Sequence, residues 1–241
     1  MTLATTGAFG LTSNSALADI SMHKWRKLLI AAERLGVLPY VAEGVARMKD
    51  DALLPEIIVG MIAEKKDIIE QQRNDTYNYS NAKLYNVFTS RRWEGVINEE
   101  TSSSDISEVT LNLLDIIVAN MDDMVVSDIT MPGMITLGRF LRENKNVIDY
   151  AKLLRWLSHI GLVQVAQLEG SILIECFGFT QEELPFVTKI QKKAGKHLLR
   201  VVEKAFTSHS FSTATRMNVA MLETVSNRFM RAVTTITDIE E

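Results

Sequence analysis

Cysteine occurs once in the 241 residues, at Cys176, so an internal disulfide is excluded and a reducing, cytoplasmic setting is expected. Four prolines and 12 glycines are too few for many short strands joined by tight turns, and they favour long helices. The four histidines, His23, His159, His197 and His209, lack the paired spacing of a zinc site. No apolar run approaches the ~20 residues that span a bilayer, because Glu169 and Glu175 interrupt the longest one, residues 162–179. An excess of one charge is missing too. With 26 Lys and Arg against 30 Asp and Glu the net charge is −4, which argues against coating nucleic acid or membrane through global charge.

Catalytic signatures are absent as well. The chain has no phosphate-cradling glycine loop, no paired-His metal motif, no Gly-x-Ser-x-Gly elbow and no Asp-x-Asp-x-Asn calcium loop. No catalytic residue, metal ligand or cofactor is therefore expected. Asp115, Asp122, Asp123 and Asp128 read as solvated surface, and Cys176 as a small buried hydrophobe.

What is present is helical periodicity. Residues 1–18, rich in Thr, Ser, Gly and Ala, have no basic segment and no solid apolar segment, and are expected to be a flexible tail rather than a secretory signal. Met22, Trp25, Leu28, Leu29, Ala32 and Leu35 then recur at three- and four-residue steps, with Gly36 and Pro39 as a stop. Val41, Val45 and Met48 mark a second helix. Pro55 opens a third with Ile57, Ile58, Met61, Ile62, Ile68 and Ile69. Leu84, Val87, Phe88, Trp93, Val96 and Ile97 mark another. Residues 98–104 contain nothing apolar and form the expected boundary between a helical domain at 19–98 and a second at 105–241. Asp105 and Glu108 make a capping-box-like start to a helix carrying Val109, Leu113, Ile116, Ile117, Met121 and Met124.

Residues 130–180 carry more information. A short helix over 134–143, a polar break at 144–146 and a helix over 147–160 are followed by Val163, Val165, the turn-like Glu169-Gly170-Ser171, and alternating Ile172, Ile174 and Cys176. This order resembles the winged helix-turn-helix family, which implies a recognition helix displaying Lys152, Arg155 and His159 and a hairpin wing at 162–177. Leu162, Val165, Leu168, Ile172 and Cys176 equally fit a continuous helix. Gly170→Ala separates the two, costing stability in a turn at positive φ and gaining up to ~1 kcal/mol in a helix. Residues 101–180 hold ten acidic residues against five basic, which opposes a phosphate backbone.

Further on, Lys189, Lys193, Lys196, Arg200 and Lys204, with Lys192 alongside, line one face of an expected amphipathic helix. Val219, Leu222, Ser226, Phe229, Val233 and Ile236 form a heptad-like seam suited to packing or dimerisation. The run Trp25-Arg-Lys-Leu-Leu, with Ala32, Gly36-Val37-Leu38 and Glu43-Gly44-Val45, resembles the leading helical region of nucleotidyltransferase-like proteins. That family's Gly-Ser or Gly-Asp turn and Asp-x-Asp metal pair do not follow, so no catalytic residue carries over.

The expectation is a mainly α, two-part protein with a winged-helix-like core in its second part. It is read as a non-catalytic binding module that meets a protein partner, or itself through the C-terminal helix, without cofactor or membrane. A DNA-binding regulator is the alternative, and a nucleotidyltransferase relative lacking a recognisable active site is the second.

Overall fold

The computed structural model describes residues 1–10, 20–48, 56–74, 79, 82–84, 86–103, 107–126 and 129–207. Among these the chain is mainly helical, with eleven helices and no strand. They form two compact units: residues up to 74 together with those from Leu199 onward, and residues 79 to 198.

The first unit contains α1 (Thr2–Phe9), α2 (Met22–Arg34), α3 (Leu38–Arg47), α4 (Glu56–Ala63) and α5 (Lys66–Asn74). The periodicity of α2 places Trp25, Leu29 and Ala32 in the core, and Gly36 at φ 67° ends the turn that follows. Pro39 does not act as a stop; it occupies the first turn of α3, where its missing N–H costs nothing. The expected tail is in part a helix. α1 lies on α3 with Leu3, Ala4, Thr6 and Gly7 buried. A methyl group at Gly7 would collide with the Tyr40 carbonyl, and one at Gly44 with the Leu3 carbonyl, so two glycines let the backbones touch. The single helix expected after Pro55 is broken at residues 64–65. There Lys65 turns to Glu33, and Gln72 bonds both the Leu38 N–H and the Glu33 carbonyl, fastening α5 to the α2–α3 junction.

The second unit contains α6 (Val87–Thr101), α7 (Glu108–Val126), α8 (Met131–Asn144), α9 (Tyr150–Ile160), α10 (Val163–Phe177) and the start of α11 (Ala194–Thr207). Leu113, Leu114, Ile116, Ile117 and Val118 of α7 are wholly buried, so the burial extends beyond the single apolar face that the sequence pattern marks. α8, α9 and α10 all pack on it. The division between units falls before α6, and the expected boundary at 98–104 lies within the second unit. Hydropathy misses the reason: Glu100 is itself buried, accepting from Lys152 and from the Ser107 N–H. Burial works to raise the Glu100 pKa, but those hydrogen bonds outweigh it and hold the carboxyl below its usual range.

The hairpin expected over 162–177 is not formed. α10 is a continuous helix, so the winged-helix core has no wing, and α8 and α9 pack against α7 and α10. The alternation misled because α10 is covered on nearly every side, with Val165, Ala166, Gln167, Glu169, Gly170, Ser171, Ile172, Leu173 and Phe177 buried. The C-terminal seam at 219–236, the Asp105 half of the capping box and Asp128 lie outside the described residues.

Glu169 is the polar exception in this core. It is fully buried, receives one hydrogen bond from Asn120 Nδ2 at 3.2 Å, and leaves both its Oε1 and Asn120 Oδ1 without partners. Burial, reinforced by the charge of Asp123 and only partly offset by Asn120, pushes its pKa well above the usual carboxylate range. The folded state thus binds a proton that the unfolded chain releases near pH ~4.3, and stability falls as pH rises from there toward the folded pKa. Thermal unfolding as a function of pH should show this fall in the wild type and not in Glu169→Gln, whose amide pairs with Asn120 without ionising. Parallel curves for the two proteins would refute a neutral Glu169.

Candidate interaction surface

Residues 188–193, the last part of the link from α10 to α11, form neither helix nor strand, so their backbone N–H groups need other partners. α10 supplies them from one stripe. The Lys189 N–H donates to Gln167 Oε1 at 2.9 Å, the Gln191 N–H to Ser171 Oγ at 2.8 Å, the Lys193 N–H to Glu175 Oε1 at 3.3 Å and the Gly195 N–H to Glu175 Oε2 at 2.7 Å. The Lys189, Gln191 and Lys193 amides, two residues apart, meet side chains one helical turn apart, and the Gly195 amide shares Glu175. The match is metric: four helical residues rise about 6.0 Å, and two extended residues about 6.6 Å. Gln167 Nε2 also holds Thr188 Oγ1 at 2.7 Å, and Gln191 Nε2 reaches the Gln164 carbonyl at 3.0 Å. Glu175 places its carboxylate on the Gly195 amide in the first turn of α11, where the helix dipole favours negative charge.

This strap carries the expected cationic residues, with one correction. The helix begins only at Ala194, so Lys189, Lys192 and Lys193 sit on the strap, while Lys196, Arg200 and Lys204 sit on α11. All six are exposed. Lys193 has φ 77°, the one non-glycine residue at positive φ among the described residues. Such a conformation costs a residue with a Cβ about 1 kcal/mol or more. Arg200 and Lys204 lie in the part of α11 that groups with the first unit.

The three residues of the expected recognition helix do not share a free face. Lys152 turns inward to buried Glu100, with its ammonium 5.7 Å from the centre of the Trp156 ring. Arg155 and His159 are exposed, and the His159 carbonyl accepts from Arg92 at 3.5 Å. The carboxylates near α7 act as structural acceptors: Asp115 from Trp93 Nε1, Asp122 from the Lys83 N–H and Asp123 from Thr130 Oγ1. Among the described residues no group of three or more His, Cys, Asp or Glu could hold a metal ion, and no helix is long and apolar enough to cross a membrane. Cys176 is half-buried, and burial, with Glu175 beside it, raises its thiol pKa.

Gln167, Ser171 and Glu175 were not singled out from the sequence. Their four-residue spacing inside an apolar run is the signal that could have found them. Comparison with protein-family models, with curated proteins and with solved structures finds no match.

Gly170 lets the residues just before the strap lie close against α10. A methyl group there would collide with Val187 Cγ2 and press on the Phe186 ring at 3.3 Å. The expected gain from Gly170→Ala in a helix is therefore reversed: overpacking should cost about 1–3 kcal/mol. Gly95→Ala, which faces open space on α6, should show the unopposed helix gain of up to ~1 kcal/mol. Chemical denaturation of both variants, and of Gly170→Ala combined with Val187→Ala, checks this; the double variant should recover most of the loss. A Gly170→Ala protein more stable than wild type would contradict the packing described.

Proposed function

We propose that this chain is a non-catalytic helical binding module that works in a reducing, cytoplasmic setting and docks an acidic segment of a protein partner on its cationic strap. The reading is carried by one observation: Lys189, Lys192 and Lys193 project into solvent from a segment fixed through its main chain, so their ammonium groups are free while their attachment points are not. Lys196 continues the row on α11. Pre-ordering the backbone lowers the entropic cost of binding, and charge complementarity speeds encounter. The lysine held at positive φ favours the same reading, since strained backbone tends to persist where a side chain must be displayed.

Several features weigh against duplex DNA as the ligand. Net charge is −4, the expected wing is a buried helix, and Lys152 of the expected recognition helix is committed to Glu100. Gln167, Ser171 and Glu175, the polar groups of α10 that face the strap, are engaged in holding its backbone. For a nucleotidyltransferase relative, the structure adds no metal-holding cluster among the described residues.

The test is the triple variant Lys189→Glu, Lys192→Glu, Lys196→Glu. The strap is held by main-chain amides, so the fold should keep its melting temperature while affinity for a glutamate-rich peptide drops at least tenfold. Duplex DNA should bind the wild type no better than the non-specific floor of ~10⁻⁴ to 10⁻⁶ M. Sub-micromolar DNA binding at physiological salt, lost in the triple variant with a slope near −3.6 for about four phosphates, would replace this reading with the regulator.

A further inference from the structure

Glu169 of α10 and Asn120 of α7 each leave one oxygen unmet, and the two side chains already touch. Asn120 Nδ2 donates to Glu169 Oε2 at 3.2 Å, while Glu169 Oε1 and Asn120 Oδ1 have no partner although both residues are buried. Buried acceptors left unmet are costly. A primary amide and a protonated carboxyl are complementary planar groups, since each offers one donor beside one acceptor. A single proton on Oε1 is therefore the donor that both oxygens lack.

The surrounding charges favour that proton. Asp123, three residues along α7 from Asn120, adds negative charge beside Glu169. The other acids of α7 are engaged or exposed: Asp115 accepts from Trp93, Asp122 from the Lys83 N–H, and Glu108 is exposed. The cations of the elements packed on α10 are turned elsewhere. On α8, Arg139 is exposed beside Glu143 and Arg142 pairs with Glu183; on α9, Lys152 pairs with Glu100 while Arg155 and His159 are exposed. Glu182, Lys189, Lys192 and Lys193 of the link after α10, and Glu175 of α10 itself, are exposed as well.

Gln167 and Ser171, which hold the Lys189 and Gln191 amides, stand two residues either side of Glu169. Two residues turn a helix by about 200°, so strap and buried pair occupy opposite sides of the same turn of α10. We propose that one proton, carried by Glu169 Oε1 and donated to Asn120 Oδ1, clasps α10 to α7, and that its loss to solvent loosens the helix and releases the strap. On ionisation the O–H bond of Oε1 breaks, its electron pair stays on the carboxylate, and the proton passes to water. Two acceptors then meet where a hydrogen bond stood, with Asp123 adding a second negative charge. α10 shifts from α7 to admit the water that solvates them, and Gln167 and Ser171 move with it. The clasp is closed at low pH and opens as pH rises through the Glu169 pKa, which lies above the usual carboxylate range. It governs how Lys189, Lys192 and Lys193 are held, whatever the strap binds.

The test is amide hydrogen exchange read by NMR on the full chain, with the Glu169 carboxyl carbon followed in the same samples. Corrected for the intrinsic pH dependence of exchange, protection at Lys189, Gln191 and Lys193 should fall about tenfold or more as the Glu169 carboxyl titrates. The Leu114 and Ile117 amides in the core of α7 should keep theirs. Glu169→Gln, whose amide can meet both the N–H and the carbonyl of Asn120 without ionising, should keep the strap protected throughout. Asp123→Asn leaves an acceptor for Thr130 but removes the neighbouring charge, and should move the fall to lower pH. This second variant decides the matter if the first does not fold. A Glu169 that titrates in the ordinary carboxylate range would overturn the proposal. So would strap protection that ignores its titration, loss that strikes Leu114 and Ile117 at the same pH, or an Asp123→Asn midpoint that stays in place.

Discussion

An irregular segment lying on a helix must satisfy its backbone amides, and much of the second unit is arranged around that requirement. Water can serve an exposed amide; one pressed against α10 needs a protein acceptor, and leaving it without one costs about 1–3 kcal/mol. Gln167, Ser171 and Glu175 are those acceptors, spaced so that one turn of helix matches two residues of strap. The same helix buries Glu169 on its other side against Asn120 of α7. α10 is thus polar in two places within an otherwise apolar surface, and each polar place holds a different neighbour.

That double burial is also why the sequence was only partly legible. α2 could be read in full, because Trp25, Leu29 and Ala32 sit on one face with the other in water, and a one-sided burial writes a clean period. α10 is covered around most of its circumference, so apolar residues occur at both two- and four-residue steps, and Gly170 looked like a turn. Its actual role is to let Val187 approach, a demand set by a residue 17 positions away that no local pattern records.

The same limit applies to the polar residues. Glu100 reads as linker by hydropathy, yet Lys152 and the Ser107 amide make it a buried anchor within the second unit, whose division from the first lies before α6. The cationic row was found by its spacing, and its residues are indeed exposed, but the steps of four and three from Lys189 are coincidental. Lys189, Lys192 and Lys193 are ordered by α10, and helical spacing begins to apply only from Ala194. What a residue displays could be read from composition, whereas what holds it could not.

The strap's ordered backbone and long exposed side chains set the kind of recognition it could support. Lysines on a fixed backbone keep four rotatable bonds each, so the strap supplies attraction at a distance with loose final geometry, and its effect lies mostly in encounter rate and is screened by salt. An acidic ligand would therefore reach the strap more slowly as ionic strength rises, with little change in how fast it leaves, so a salt-dependent association rate is the signature of recognition by steering.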